Sequence, residues 1–201
     1  MISRHERMQS MYEEGSVPWD DVDPPPEVKA LAEKLPAGRA LDLGSGLGRA
    51  AIYLARLGWQ VDGVDFVAKA VSEAQDRANQ EGVGGRVNFH HSPVTSLDFL
   101  NGYYDFALDV GCAHGFSDLE LKQYHQELQR LLKPGAIYLL FAHLNEEDDG
   151  QKEQRWLNED SLKTIFSDGF TLEKEEFGET QVNDQEPWRS AWFWFKRISN
   201  E

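Results

Sequence analysis

The stretch Ala40-Leu41-Asp42-Leu43-Gly44-Ser45-Gly46-Leu47-Gly48 constrains the fold more than any other part of this chain. An apolar run leads into glycines at alternate positions, and a helical pattern follows. Glycine lets the backbone turn tightly at a strand end and lets a ligand approach the main chain closely. The helix start beyond it adds oriented N–H groups. Val61-Asp62-Gly63-Val64-Asp65 forms the next strand, ending in an acid about 20 residues past the loop, where a ribose-binding carboxylate belongs. A carboxylate accepts hydrogen bonds from vicinal hydroxyls better than a neutral side chain does. The plainer role for Asp65 is to cap the following helix. A dinucleotide fingerprint needs glycine at the first, third and sixth loop positions. Counted from Gly44, the sixth position is Arg49, so NAD and FAD are distant readings.

The rest of the chain repeats the strand–helix theme. Pro24-Pro25-Pro26 separates an N-terminal helical segment from a helix begun at Glu27, where Val28, Leu31, Ala32 and Leu35 have helical spacing. Strands are expected over 39–43, 60–64, 86–91, 105–108 and 136–142, and helices over 48–57 and 67–81. Ser117-Asp118-Leu119-Glu120 reads as a capping box that opens a helix stopping at Lys133-Pro134-Gly135. Asn158 begins a further helix, with Gly169 after its end. The segments 170–177 and 190–198 have no helix between them and are expected to pair antiparallel at one sheet edge. In the second, Trp192-Phe193-Trp194-Phe195 reads as a strand covered on both faces, and Trp188 as a loop residue. The pattern implies an α/β fold with a mostly parallel sheet and helices on both faces. One domain is expected over 1–201, with 1–26 as a helical lid segment and 27–201 as the core. The acidic run Glu146-Glu147-Asp148-Asp149 reads as a solvated loop.

Charge narrows the partners. With 35 acidic and 20 basic residues the formal net charge is −15, a field that repels polyanions and makes nucleic acid a poor partner. It suits a neutral or cationic small molecule. Cys112 is the one cysteine, so no intrachain disulfide forms. The first residues are polar and mixed in charge, and no stretch has the length of a membrane span, so the expectation is a cytoplasmic protein without membrane contact. Monomer and homodimer both stay open.

Several motifs together resemble the class I S-adenosylmethionine-dependent methyltransferases. Asp42 to Gly48 is similar to their first motif and Gly63-Val64-Asp65 to their second. Tyr104-Asp105-Phe106-Ala107-Leu108-Asp109-Val110-Gly111-Cys112-Ala113-His114 resembles their fourth-strand motif, and Lys133-Pro134-Gly135-Ala136 the turn into the fifth strand. Val17-Pro18-Trp19-Asp20 and Ser190-Ala191-Trp192-Phe193 resemble the small-molecule branch, which includes thiopurine, tellurite-resistance and thiol or halide methyltransferases. The resemblance implies a Rossmann-like fold, with a mostly parallel seven-stranded sheet and an antiparallel C-terminal strand. It implies S-adenosyl-L-methionine as cofactor, S-adenosyl-L-homocysteine as product and a small-molecule acceptor, by direct in-line displacement. In this family Asp42 and the loop of Gly44, Ser45, Gly46 and Gly48 would hold the methionine part. Asp65 would bind the ribose, Phe66 would pack on adenine, and the Asp109 backbone would accept from the cofactor's amino group. Trp19 would line or cover the site. The family usually carries an acid after the third strand to contact adenine. Here that position is Pro93, so recognition falls to backbone groups near Val94 or to packing. A non-catalytic S-adenosylmethionine-binding module is the alternative reading.

Which residue could move a proton? His114 lies just past the fourth strand, at the carboxyl edge where open α/β sheets bind ligands. Its ordinary pKa suits a general base, though packing or helix capping is the plainer role. Tyr12 could reach the site from a folded-over N-terminal helix, with packing again the plainer role. His90 and His91 adjoin a strand end with no evident partner for a metal, and no metal is expected. Cys112 reads as a small residue in a tight turn. Trp19 and Trp188 are the aromatic candidates for a substrate pocket, because aromatic faces attract cations such as a sulfonium.

Overall fold

A computed structural model describes residues 4–15, 17–145, 156–181 and 186–199. The acidic run 146–149 lies outside them. The chain divides into two compact units, Met1–Leu97 and Asp98–Glu201.

The first unit contains α1 (Arg4–Glu14), α2 (Pro26–Lys34), β1 (Arg39–Leu43), α3 (Arg49–Arg56), β2 (Gln60–Asp65), α4 (Ala68–Gln80) and β3 (Val87–His91). Pro26 takes the first turn of α2, where its missing N–H removes no hydrogen bond. The strands run parallel in the order β3-β2-β1, with Leu43 beside Val64 and Asp65 beside His91. Alanines carry the crossover helices close to the sheet: Ala51 and Ala55 on α3, and Ala70, Ala74 and Ala78 on α4, are all buried. At Gly48 a side chain is excluded twice over. Its φ is +82°, and a Cβ there would stand 2.6 Å from Phe89 Cζ.

The second unit contains β4 (Tyr104–Val110), α5 (Asp118–Leu131), β5 (Leu132–His143), α6 (Glu159–Phe166), β6 (Phe170–Thr180) and β7 (Trp188–Arg197). The order is β4-β5-β7-β6; β4 and β5 are parallel, and β7 runs antiparallel to both its neighbours. The expected capping box is present: Glu120 N–H donates to Ser117 Oγ, and Ser117 N–H donates to Glu120 Oε2 at 2.8 Å. Asn158 caps α6 by accepting from Ser161 N–H at 2.8 Å. Tyr138, Phe166 and Phe195 stack in the core with ring centroids 4.8–6.0 Å apart.

Three expectations are corrected here. β5 begins at Leu132 rather than Ala136, because Leu132 is buried and pairs with Tyr104 before a register shift. Pro134 is tolerated because the first residues of a strand can lack a ladder hydrogen bond. Trp188 is the first residue of β7, beside Thr180 of β6, rather than a loop residue. The run Trp192 to Phe195 is covered on one face only. Phe193 and Phe195 are core residues, while Trp192 and Trp194 are half-exposed, with the Lys174 ammonium 4.3 Å over the Trp194 ring.

β6 occupies the sheet border. Its residues Glu173 to Glu179 are exposed, and Lys174, Glu175 and Glu176 all form ion pairs. The fold is the Rossmann-like α/β arrangement with a mostly parallel seven-stranded sheet, in which β7 runs antiparallel to both its neighbours.

Candidate cofactor and acceptor site

In the first unit the glycine loop is pinned from below. Gly44 and Ser45 N–H both donate to Val64 C=O, at 2.8 and 3.0 Å. Positive φ at Gly44 (72°) and Gly46 (53°) turns the loop back over β1. Asp42 is buried and accepts from Ala51 N–H at 3.1 Å, which ties the strand end to the first turn of α3. Asp65 spans two elements. Its Oδ2 accepts from Gly46 N–H and its Oδ1 from Val67 N–H, both at 2.9 Å. Burial pushes its carboxyl above the ordinary carboxylate range, against the opposing pull of these backbone donors. Asp65 therefore does cap the start of α4, and in the same position it holds the loop.

Ser45 Oγ is buried and has no hydrogen-bond partner among the described residues. A buried hydroxyl without a partner is costly, so an orphan in a glycine loop marks a place for a polar ligand group. Together with the two-point acceptor at Asp65 it fits an adenosyl sulfonium carrying a ribose and an amino-acid end. Phe66 is half-buried. Its carbonyl takes hydrogen bonds from His5 Nε2 (3.2 Å) and His91 Nε2 (3.1 Å), and its ring lies 5.1 Å from His5. Val94 is buried in the turn after β3, and Pro93 beside it is exposed. His90 Nε2 lies 2.9 Å from Asp62 Oδ1, a contact within the sheet.

The N-terminal segment folds onto this loop. Tyr12 is buried with Leu47, Val67 and Ala70. Its hydroxyl lies 2.9 Å from where a Cβ at Gly46 would stand, so glycine is needed there for contact as well as for φ. Trp19, 41% exposed, donates from Nε1 to Tyr12 Oη at 3.4 Å. Arg77 on α4 grips Asp20 with two hydrogen bonds of 2.8 and 3.0 Å.

In the second unit Asp109 ends β4 with its side chain, not only its backbone, engaged. It is fully buried and accepts from Cys112 N–H (2.7 Å), Ala113 N–H (3.1 Å) and Tyr124 O–H (2.8 Å). Burial pushes its carboxyl up to about 7 despite these donors. The Tyr124 hydroxyl lies 3.0 Å from that of Tyr138, and burial pushes both phenols well above their ordinary range. Asp109 thereby fixes the turn Gly111-Cys112-Ala113-His114. His114 stacks on His143 with ring centroids 4.8 Å apart and meets Trp156 edge-on at 5.0 Å.

Residues 40–135 match the family model described as a methyltransferase domain. An uncharacterized methyltransferase of Schizosaccharomyces pombe is 30% identical over 116 residues, which is 58% of this chain and 77% of the relative. The chain belongs to the class I S-adenosylmethionine-dependent methyltransferases. The methyltransferase is also similar to a solved structure described under the conversion of a disulfide bond into a thioacetal group during echinomycin biosynthesis. The two are 25% identical with a TM-score of 0.81, covering 99% of this chain and 93% of that one. The Burkholderia thailandensis 1,6-didemethyltoxoflavin-N1-methyltransferase, solved with 1,6-didemethyltoxoflavin and S-adenosylhomocysteine, shares its fold. Its TM-score is 0.75 at 24% identity, covering 97% of this chain and 87% of that one. S-adenosyl-L-methionine is the methyltransferase's cofactor.

Sequence reasoning singled out the loop, Asp65 and His114 and did not single out His143, Trp156, Asn145 and Tyr124, which the structure places around His114 and Asp109. A histidine ending an apolar strand and a lone tryptophan in a polar run were the available signals for two of them.

Proposed function

We propose that this methyltransferase methylates a small molecule in the cytoplasm. The observation that carries the reading is the packing of Tyr12 against the glycine loop at Gly46, with Trp19 hydrogen-bonded to Tyr12: an N-terminal segment seated on the loop favours a small acceptor over a macromolecular one. The charge of −15 supports it by disfavouring nucleic acid, and the single cysteine suits a reducing compartment. Both solved structures above concern small-molecule chemistry by their descriptions.

Within this reading Gly44, Ser45, Gly46 and Gly48 form the seat, with Ser45 Oγ supplying a polar contact. Asp42 holds the strand end to α3. Asp65 accepts from the ribose hydroxyls while still clamping Gly46 and Val67. Phe66 and Val94 flank the adenine, while the Asp109 backbone accepts from the cofactor's amino group. Trp19 covers the seat. S-adenosylmethionine supplies an electrophilic methyl group when bound. The chain's part is to align the acceptor and exclude water, and alignment alone contributes about 7–11 kcal/mol. His114, held by the Asp109 turn, takes a proton from an oxygen or nitrogen acceptor; a thiolate needs no such step.

The test is turnover of labelled cofactor against thiols, amines and phenols, with protein and RNA acceptors alongside. Methylation within one of the small-molecule classes is the expected result. Transfer confined to protein or RNA would overturn the assignment.

A further inference from the structure

After α1 the first unit makes the turn Val17-Pro18-Trp19-Asp20. Asp20 N–H donates to Val17 C=O at 3.0 Å, and Pro18 takes the second turn position, where its fixed φ favours the bend. The bend brings Trp19 to the Tyr12 hydroxyl at 3.4 Å, while the two acids that follow reach the helices on either side of the glycine loop. Asp20 takes two hydrogen bonds from the Arg77 guanidinium on α4, at 2.8 and 3.0 Å. Asp21 takes one from Arg49, the first residue of α3, at 3.3 Å.

Apolar contact between this segment and the loop is narrow. Among the described side chains of α1 Tyr12 alone is buried, against Leu47, Val67 and Ala70, with Met8, Val17 and Phe66 packed beside it. An 11-residue helix is marginal on its own in water, so α1 depends on its ties to the rest of the unit. Two of these are long hydrogen bonds to carbonyls, His5 to Phe66 at 3.2 Å and Lys69 to Glu13 at 3.3 Å. Of the two ion pairs, Asp21 is 81% exposed and its bond is weakened by solvent, whereas the Asp20 side chain is 20% exposed and gripped at both oxygens. Ala70, which packs on Tyr12, and Arg77, which holds Asp20, lie seven residues apart on α4, about 10 Å along its axis. Two anchors at that separation fix the direction of the segment as well as its place.

We propose that Arg77 and Asp20 are positioning residues for the cofactor: their ion pair clasps the N-terminal segment to α4 and so keeps Tyr12 and Trp19 seated on the loop that holds S-adenosylmethionine. Neither side chain of the clasp touches the cofactor; both act through Tyr12 and Trp19. The inference rests on the reading of the glycine loop as the cofactor seat. Loosening the clasp frees the segment to lift, and bound cofactor then escapes faster.

The test times the release of labelled S-adenosylhomocysteine from the full chain after a chase with unlabelled compound. Arg77→Gln and Asp20→Asn should each speed release about three- to tenfold, the scale of a partly exposed two-point ion pair. The double variant should release no faster than either single one, because the two side chains act as one pair. Arg77→Lys, which keeps the charge but not the planar fork, should fall between parent and Arg77→Gln. Molar salt should speed release from the parent and leave the double variant unmoved. Arg56→Gln, which breaks an ion pair with Glu81 elsewhere in the unit, should release as the parent does. Unchanged release in Arg77→Gln or Asp20→Asn, additive effects in the double variant, a salt response that survives in it, or equal acceleration by Arg56→Gln would each overturn the proposal. Should Arg77→Gln fail to fold, Asp20→Asn and the salt response decide alone. A parent chain that binds no S-adenosylhomocysteine would instead strike the cofactor seat, so the two failures are distinct.

Discussion

Replacing Asp65 by Asn separates two roles that one carboxylate combines. In the wild type each oxygen takes a backbone N–H, Gly46 at one and Val67 at the other, both at 2.9 Å. The asparagine Oδ1 can keep Val67, but its Nδ2 then faces the Gly46 donor. Leaving one buried N–H unsatisfied costs about 1–3 kcal/mol of stability. For a chain of this size that lowers Tm by about 2–12 °C. Losing a charged acceptor for a ribose hydroxyl removes about 1.5–3 kcal/mol from cofactor binding, a factor of about 10–150 in Kd. Burial raises the wild-type carboxyl's pKa, so the folded wild type is penalised as pH rises above the unfolded value. The stability gap between the two proteins should therefore narrow from pH 4 towards neutrality. Thermal melts and calorimetry with S-adenosylhomocysteine read the two roles independently. A variant that melts lower yet binds S-adenosylhomocysteine as tightly as the parent would refute the ribose assignment and leave Asp65 a loop clamp alone.

Two further outcomes are expected. Gly48→Ala adds a Cβ at φ +82°, 2.6 Å from Phe89 Cζ, and should cost about 2–5 kcal/mol from left-handed strain and overpacking combined; urea melts with an unchanged midpoint would contradict the packing described. Asp109 holds its proton in the folded chain up to about pH 7, whereas the unfolded carboxyl ionises near 4. The wild type should thus lose up to about 4 kcal/mol of stability from this group as pH rises through that window, and Asp109→Asn should show a flatter profile; parallel profiles at pH 5 and 7.5 would count against the buried acid.

Much of the architecture was legible because its signals are local. The alternating glycines, the acid closing β2, the Ser117 capping box and the Asn158 cap each depend on residues within a few positions of one another, and each appears where expected. What escaped depends on distant chain segments meeting. Trp156 reaches His143 only because it and Leu157 are hydrogen-bonded to Asn145 and His143 at the end of β5, and Trp188 joins them only because β7 pairs with β5. No periodicity reports such closures. Asp109 escaped for another reason. Its carboxyl serves a turn four residues on and a tyrosine one helix away, so its neighbours in sequence do not reveal the network. Sequence comparison with a family pattern drew attention to its backbone, and the side chain went unremarked.

The border strand β6 has a consequence for the molecule among its own kind. An open strand of this length is a ready template on which another chain could lay a strand of its own. Glu173, Glu175, Glu176 and Glu179 punctuate that margin. A second copy approaching it would have to displace the lysines that pair Glu173, Glu175 and Glu176, on a protein already strongly anionic. The aromatic-rich β7, a run that would aggregate readily if laid bare, is paired along its outer edge by that strand.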